Sequence, residues 1–232
     1  VYLINPNGIL IGDGAVINTG SFIASTKDVI DVPSFINSGT VNFQGDAQGN
    51  IINLGAVKAD RIEMHGDTIS LKAANVDTNF NAPNITIDAN AIHTGTPENE
   101  DGDVDQKLIN SVNTKLGVTA EGFLLKDSMG ALREAVEDNS QGHYMLSQDD
   151  LTNETWEGYA PNLNWGAAID GLGYTVGNKN IVVGDGTDGT GIFGYISGDV
   201  RVDNFTFDHI QVNDTKKNST GTGTLAGYLD GD

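Results

Sequence analysis

A six-residue pattern recurs near the start of this chain and limits what it can fold into. Ile17-Asn18-Thr19-Gly20-Ser21-Phe22, Ile36-Asn37-Ser38-Gly39-Thr40-Val41 and Ile52-Asn53-Leu54-Gly55-Ala56-Val57 all read Ile-Asn-x-Gly-small-apolar, at spacings of 19 and 16 residues. Around them the apolar residues alternate in short runs, as in Ile62-Glu63-Met64-His65, Ile69-Ser70-Leu71-Lys72 and Ile85-Thr86-Ile87-Asp88. That is the period-two mark of strands. A repeat this short cannot bury its own apolar face, and only stacking on copies of itself gives it a core. The spacing predicts coils of a parallel β-helix, about 4.8 Å apart. Each Asn-x-Gly step would turn the chain at a common corner, with Gly supplying positive φ and Asn bonding backbone or stacking as an amide ladder. Three unrelated Asn-x-Gly hairpin turns in a sandwich or meander are the alternative.

Residues 95–142 break the pattern. Glu98-Asn99-Glu100-Asp101-Gly102-Asp103-Val104-Asp105 is an acidic loop. Leu108, Ile109, Val112 and Leu116 follow at helical spacing, and Ser128 stands where it would cap a second helix with Ala131, Leu132, Ala135 and Val136 on its apolar side. Residues 143–232 return to short strands with a longer repeat. Gly194-Tyr195-Ile196-Ser197-Gly198-Asp199 recurs 33 residues later as Gly227-Tyr228-Leu229-Asp230-Gly231-Asp232, and Gly191-Ile192-Phe193 aligns loosely with Thr224-Leu225-Ala226. Val202, Phe205, Phe207, Ile210 and Val212 between the copies are core candidates. A repeat of that length without a helix signal again favours a solenoid.

Charge narrows the partners. The chain carries 12 Lys and Arg against 32 Asp and Glu, a net charge of −20, which repels nucleic acid and anionic lipid. It has no Cys, so disulfides, thiol catalysis and Cys-based zinc sites are excluded. No apolar run approaches the roughly 20 residues of a transmembrane helix, and no signal peptide is visible. The opening Val1-Tyr2-Leu3-Ile4 and the closing Leu229-Asp230-Gly231-Asp232 both read as cut from a larger protein.

The opening resembles the secretion domain of filamentous-haemagglutinin-like exoproteins of the two-partner secretion pathway. Val1-Tyr2-Leu3-Ile4-Asn5-Pro6-Asn7-Gly8-Ile9 carries the likeness. Ile23-Ala24-Ser25-Thr26, Phe35-Ile36-Asn37-Ser38-Gly39 and Gly49-Asn50-Ile51-Ile52-Asn53-Leu54-Gly55-Ala56-Val57-Lys58-Ala59 continue it to about residue 94. The second half resembles GLUG-type repeats of bacterial surface adhesins. Leu132-Arg133-Glu134-Ala135 and Gly142-His143-Tyr144-Met145-Leu146-Ser147-Gln148-Asp149 look like their lead-in. Ala168-Ile169-Asp170-Gly171-Leu172-Gly173-Tyr174-Thr175-Val176 looks like their turn, and Gly191-Ile192-Phe193-Gly194-Tyr195 stands where such repeats carry Gly-Leu-Phe-Gly. Asp149-Asp150-Leu151 departs from the lead-in, which more often has Ile between acidic residues. The resemblance implies a right-handed β-helix exported through an outer-membrane β-barrel transporter.

Candidate chemistry is sparse. Asn5, Pro6, Asn7 and Gly8 form the candidate export motif: Pro6 fixes φ, and Asn7-Gly8 suits a type I or II turn before a strand. Trp156, Tyr159 and Trp165, with Tyr174, are aromatics that would stack on sugar rings or pack in the core. The acidic loop fails the EF-hand test: with Gly102 at loop position 6, Pro97 and Leu108 fall where carboxylates are required. His65, His93, His143 and His209 show no metal-ligand spacing. A β-helical lyase or glycosidase needs converging carboxylates, for which Asp67, Asp77 and Asp88 are the candidates, yet the arginines, Arg61, Arg133 and Arg201, are far apart.

The expected fold is mainly β, a right-handed parallel β-helix with a short helical excursion around 105–138. Its parts are a β-helix over 1–94 resembling the later part of a secretion domain, an acidic loop and short helices over 95–142, and a β-helix with GLUG-like repeats over 143–232. The expected function is that of a secreted or surface-displayed adhesin fragment from a diderm bacterium, not an enzyme. Its partners would be the outer-membrane transporter and a host, matrix or glycan ligand, with no nucleic acid, metal or cofactor. A β-helical carbohydrate-active enzyme and the passive stalk of a toxin-delivery exoprotein are the alternatives.

Overall fold

A computed structural model describes residues 1–38, 41–158, 160–183, 189–213 and 221–230. The chain divides into two units, Val1–Phe123 and Leu124–Asp232. The first contains β1 (Tyr2–Ile4), β2 (Ile9–Ile11), β3 (Val16–Asn18), β4 (Ser21–Ser25), β5 (Asp28–Val29), α1 (Val32–Ser38), β6 (Phe43–Gln44), β7 (Ile51–Asn53), β8 (Ala56–Lys58), β9 (Arg61–Lys72), α2 (Ala73–Asn79), β10 (Phe80–Asn81), β11 (Asn84–Thr96) and α3 (Gln106–Leu116). β12 (Glu121–Lys126) carries the chain onward. The second unit adds α4 (Met129–Asp138), β13 (His143–Leu146), β14 (Glu154–Gly158), β15 (Ala168–Asp170), β16 (Thr175–Val183), β17 (Phe193–Ser197), β18 (Arg201–Asp203), β19 (Thr206–Asn213) and β20 (Ala226–Asp230). The protein is mainly β, with four short helices among the described residues.

Parallel pairing dominates, so side chains of like kind fall into columns. In the first unit β1, β4, β9 and β11 lie side by side in chain order. β2 lies on β7 and β7 on β9, while β3, β8 and β10 form a separate three-stranded sheet. One column reads Ile9, Ile51, Ile69, Ile92. Others read Leu3, Ala24, Met64, Ile87 and Ile17, Val57, Phe80. Phe22, Ile51, Ile62, Met64, Ile69 and Leu71 are fully buried among them. This is the physical content of the alternation seen in the sequence: every second residue of a strand faces the same neighbours.

The short repeat does not set the register. Ile17 pairs with Val57 and Ile52 with Leu10, so the first and third copies are out of step. In the second copy Ile36, Asn37 and Ser38 belong to α1, with Ile36 73% exposed; Gly39 and Thr40 lie outside the described residues. The cause is local. Asp31 accepts the Ser34 N–H at 3.0 Å and the Ser34 hydroxyl, a side-chain cap, and Pro33 is tolerated in a first helical turn. α2 likewise falls within the 1–94 stretch expected to be β-helix, and it buries Ala73 and Val76.

The other two helices fall inside the expected 105–138 stretch. Asp105 caps α3 by accepting the N–H groups of Lys107 and Leu108 at 3.0 and 3.2 Å, and Gly117 ends it at φ 68°. Ile109, Val112 and Leu116 are its buried face. Ser128 caps α4 through the Ala131 N–H at 3.1 Å, above a buried face of Met129, Leu132 and Val136.

In the second unit the long repeat and the register agree. Phe193 pairs with Ala226, Tyr195 with Tyr228 and Ile196 with Leu229, each 33 residues apart. The two tyrosine rings stack at 5.1 Å and 5°. Leu163 bridges to Ile196 one repeat earlier. Leu124, Tyr144, Ile169 and Val202 form a column across β12, β13, β15 and β18, and Trp156, Ile181 and Val212 another across β14, β16 and β19. Val202, Phe205, Phe207, Ile210 and Val212 pack, partly buried, against this core. Gly231 and Asp232 of the second copy lie outside the described residues.

Candidate functional site

The Asn5–Gly8 motif is a surface turn between β1 and β2. Gly8 donates its N–H to the Asn5 carbonyl at 3.1 Å, and the Asn5 side chain accepts the Asn7 N–H at 3.1 Å. Asn7 keeps a negative φ, which makes the turn type I and not type II; Gly8, at φ 119°, is the left-handed exit. Type I turns favour Asn first, Pro second and Gly fourth, and this sequence supplies all three. The turn is pinned at both ends, by Asn5 N–H to Ser25 O (3.0 Å) and Ile9 N–H to Asn50 O (2.9 Å).

Gly49 lies directly beneath it. A Cβ there would stand 2.6 Å from Pro6 O and 2.7 Å from Gly8 N, both backbone atoms. Gly49→Ala therefore has to push the turn aside. We expect a loss of about 1–3 kcal/mol, the usual cost of overpacking, read as a lower urea midpoint.

The three candidate aromatics have separate surroundings. Trp156, on β14, is half buried; the Arg133 guanidinium lies over its ring at 4.2 Å and its Nε1–H donates to Glu154 at 3.1 Å. Burial pulls the Arg133 pKa down to about 10, and Glu137 and Glu154 oppose this, so the group stays charged at neutral pH. Trp165 is 68% exposed and packs against Gly198. The two tryptophans make no ring contact with each other, and Tyr159 lies outside the described residues.

Sequence reasoning missed a buried ion pair. Lys179 is 1% exposed, and its Nζ donates to Asp150 Oδ1 at 2.8 Å, Thr152 O at 2.7 Å and Thr152 Oγ1 at 2.9 Å. Asp150 also accepts the Met129 N–H at the start of α4, at 2.8 Å.

The candidate carboxylates of an enzyme reading each serve a different neighbour. Asp67 accepts from Asn90, Asp77 from Ser111, and Asp88 from Lys27 and His65. In the acidic loop, the Asn99 side chain accepts the N–H groups of Asp101 and Asp103, both at 2.9 Å, while Asp105 is engaged as the α3 cap. Among the described residues no three His, Asp or Glu side chains gather as metal ligands.

Comparison with known families identifies the chain. The family model of the TPS secretion domain matches residues 1–150, more than half of the sequence, and the protein belongs to that family. The match begins at the strand before the Asn5–Gly8 turn and runs past residue 94, through α3 and α4. Membership makes this a two-partner secretion exoprotein of Gram-negative bacteria, secreted or at the surface, with an outer-membrane transporter as its export partner. No curated protein and no solved structure matches the chain. Among the described residues no helix is long and apolar enough to cross a membrane.

Proposed function

We propose that the chain is a right-handed parallel β-helical segment of an exported adhesin, which presents a surface to host, matrix or glycan ligands and performs no catalysis. The observation that carries this is the in-register stacking of parallel strands in a chain of the TPS secretion-domain family. Parallel strands joined by crossovers are right-handed in about 98% of cases, which supports the handedness. The 33-residue register of β17 on β20 supports reading 143–232 as GLUG-like repeats. Residues 1–94 and 143–232 then serve as helical segments, with the loop and helices of 95–142 set between them. Separate engagement of Asp67, Asp77 and Asp88 supports a non-catalytic role. Such a surface works by reach and repeated weak contacts.

The test is a glycan and matrix-protein array probed with the purified chain, run beside a reducing-sugar release assay. Binding without sugar release is the expected result. Sugar release would overturn the non-catalytic reading, and no binding on any surface would overturn the adhesin reading in favour of a passive stalk.

A further inference from the structure

The β5–α1–β6 excursion leaves the parallel stack at Thr26 and rejoins it at Gly49. Thr26 closes the base, donating its N–H to His65 O at 2.8 Å and its hydroxyl to Gly49 O at 3.0 Å. α1 buries none of its residues, and Ile30, Val32 and Ile36 are exposed, so this excursion adds little to the core. It does build a cleft of about 550 Å³ against the sheet, lined by Lys27, Asn42, Phe43, Gln44, His65 and Asp88 among others. Insertions in stacked-repeat proteins map to loops on one face, and that face is often the binding face.

We propose that this cleft binds one neutral hexose unit of a glycan. Phe43, half buried and 4.8 Å from the His65 ring, offers an apolar platform for the C–H face of a pyranose. Lys27 Nζ at 2.8 Å and His65 Nδ1 at 3.1 Å both meet Asp88 at Oδ2, which leaves Oδ1 of this 52% exposed side chain to accept from sugar hydroxyls. The hydrogen bond from Lys27, then that from His65, holds the Asp88 carboxyl below its usual range, so it is an ionised acceptor. Exposed Asn42 and Gln44 carry amides that both donate and accept. An apolar wall with a few placed polar groups is the general make-up of a small-ligand site. The lysine that lines the cleft is already paired, Lys27 with Asp88. With a net charge of −20 on the chain, a sulfated or carboxylated sugar would be repelled. Among sugars, that leaves a neutral one.

The inference rests on the glycan-binding part of the adhesin reading, and the experiment separates the two. The whole chain is titrated with methyl α-mannoside, methyl β-galactoside, methyl β-glucoside and N-acetylglucosamine, followed by amide NMR. At least one should shift Asn42, Phe43, Gln44 and His65 saturably. Phe43→Ala and Asp88→Asn should each weaken that binding about tenfold or more while the far-UV circular dichroism stays unchanged. Gln44→Ala, on the exposed hairpin, serves as a third variant should either of these unfold. No saturable shift with any hexoside, shifts confined to other residues, or wild-type affinity in the folded variants would each overturn the proposal. If the Phe43→Ala chain still binds the glycan array like the wild type, the cleft is wrong and the adhesin reading stands. If the wild-type chain binds nothing on the array, both fall.

Discussion

Lys179→Met is expected to destabilise the protein by about 3–5 kcal/mol, the cost of leaving a buried charge without its partner. The methionine keeps most of the length of the side chain and removes all three donors. Asp150 would then remain buried with only the Met129 N–H and the Thr152 hydroxyl and N–H facing it. The loss is read as a fall in the urea midpoint at neutral pH. Adding Asp150→Asn should restore part of it, because the amide oxygen still accepts from Met129 while the stranded charge is gone; a double variant no more stable than the single one would contradict the argument. The acid dependence has a definite sign. Burial raises the Asp150 pKa, but the hydrogen bonds from Lys179, Thr152 and the Met129 N–H outweigh it and hold the carboxyl below its usual range. A depressed folded pKa contributes stability that is fully present above the unfolded value, about 3.9, and is lost as pH falls through the folded value. The urea midpoint of the wild type should therefore stay level at mildly acidic pH and drop below about pH 4. In Lys179→Met that drop should shrink or reverse, since protonation now relieves an unpaired charge.

Ile51→Ala should cost about 2–5 kcal/mol, the range for deleting a fully buried aliphatic side chain. Ile51 sits between Ile9 and Ile69 in the isoleucine column and is completely buried. Backbone pairing on both sides fixes its neighbours, so the site cannot collapse to fill the space. A Cβ on Gly66 would already touch the Ile51 Cγ1 at 3.2 Å, a measure of how tightly this point is filled. Ile51→Val should cost only about 0.5–1.5 kcal/mol. Leu10→Ala is the control: Leu10 precedes Ile11 on the same strand but is mostly exposed, and its loss should stay within about 0.5 kcal/mol.

These two sites also mark what the sequence could and could not reveal. Local signals were legible where a few neighbouring residues decide the outcome. Ser128 reads as a cap and caps α4, and Ile109, Val112 and Leu116 read as one helical face and are buried together. The 33-residue repeat was legible because Tyr195 and Tyr228 occupy equivalent places in two copies, so similarity and register coincide. Register in the first unit was not legible. Ile17 and Ile52 open two copies of one motif, yet they do not pair with each other: Ile17 lies on Val57 and Ile52 on Leu10, because the excursion between Thr26 and Gly49 lengthens one pass of the chain. An Asp–Ser cap at residues 31 and 34 turned the second copy into helix, a local preference stronger than a three-residue likeness to strand. Asn5–Gly8 was legible as a turn, but the Gly49 backbone beneath it, more than forty residues on in sequence, was not. Lys179 and Asp150 stayed hidden for the same reason: nothing in a sequence says that two charges 29 residues apart will meet inside.

The order of pairing in the first unit has a further consequence, for how the chain assembles. β1, β4, β9 and β11 are neighbours in the order in which they occur along the polypeptide. A chain fed through a narrow opening, from either end, can thus lay each pass on one already in place, and no later segment has to thread back between two earlier ones. Growth of this kind is local and incremental. Fed from its amino end it has one queue, shared by two strands: Ile9 waits for Ile51 and Ile17 for Val57, with the whole β5–α1–β6 detour between them. Until that detour has cleared and Gly49 has settled beneath the Asn5–Gly8 turn, the second strand of the unit has no template to lie on.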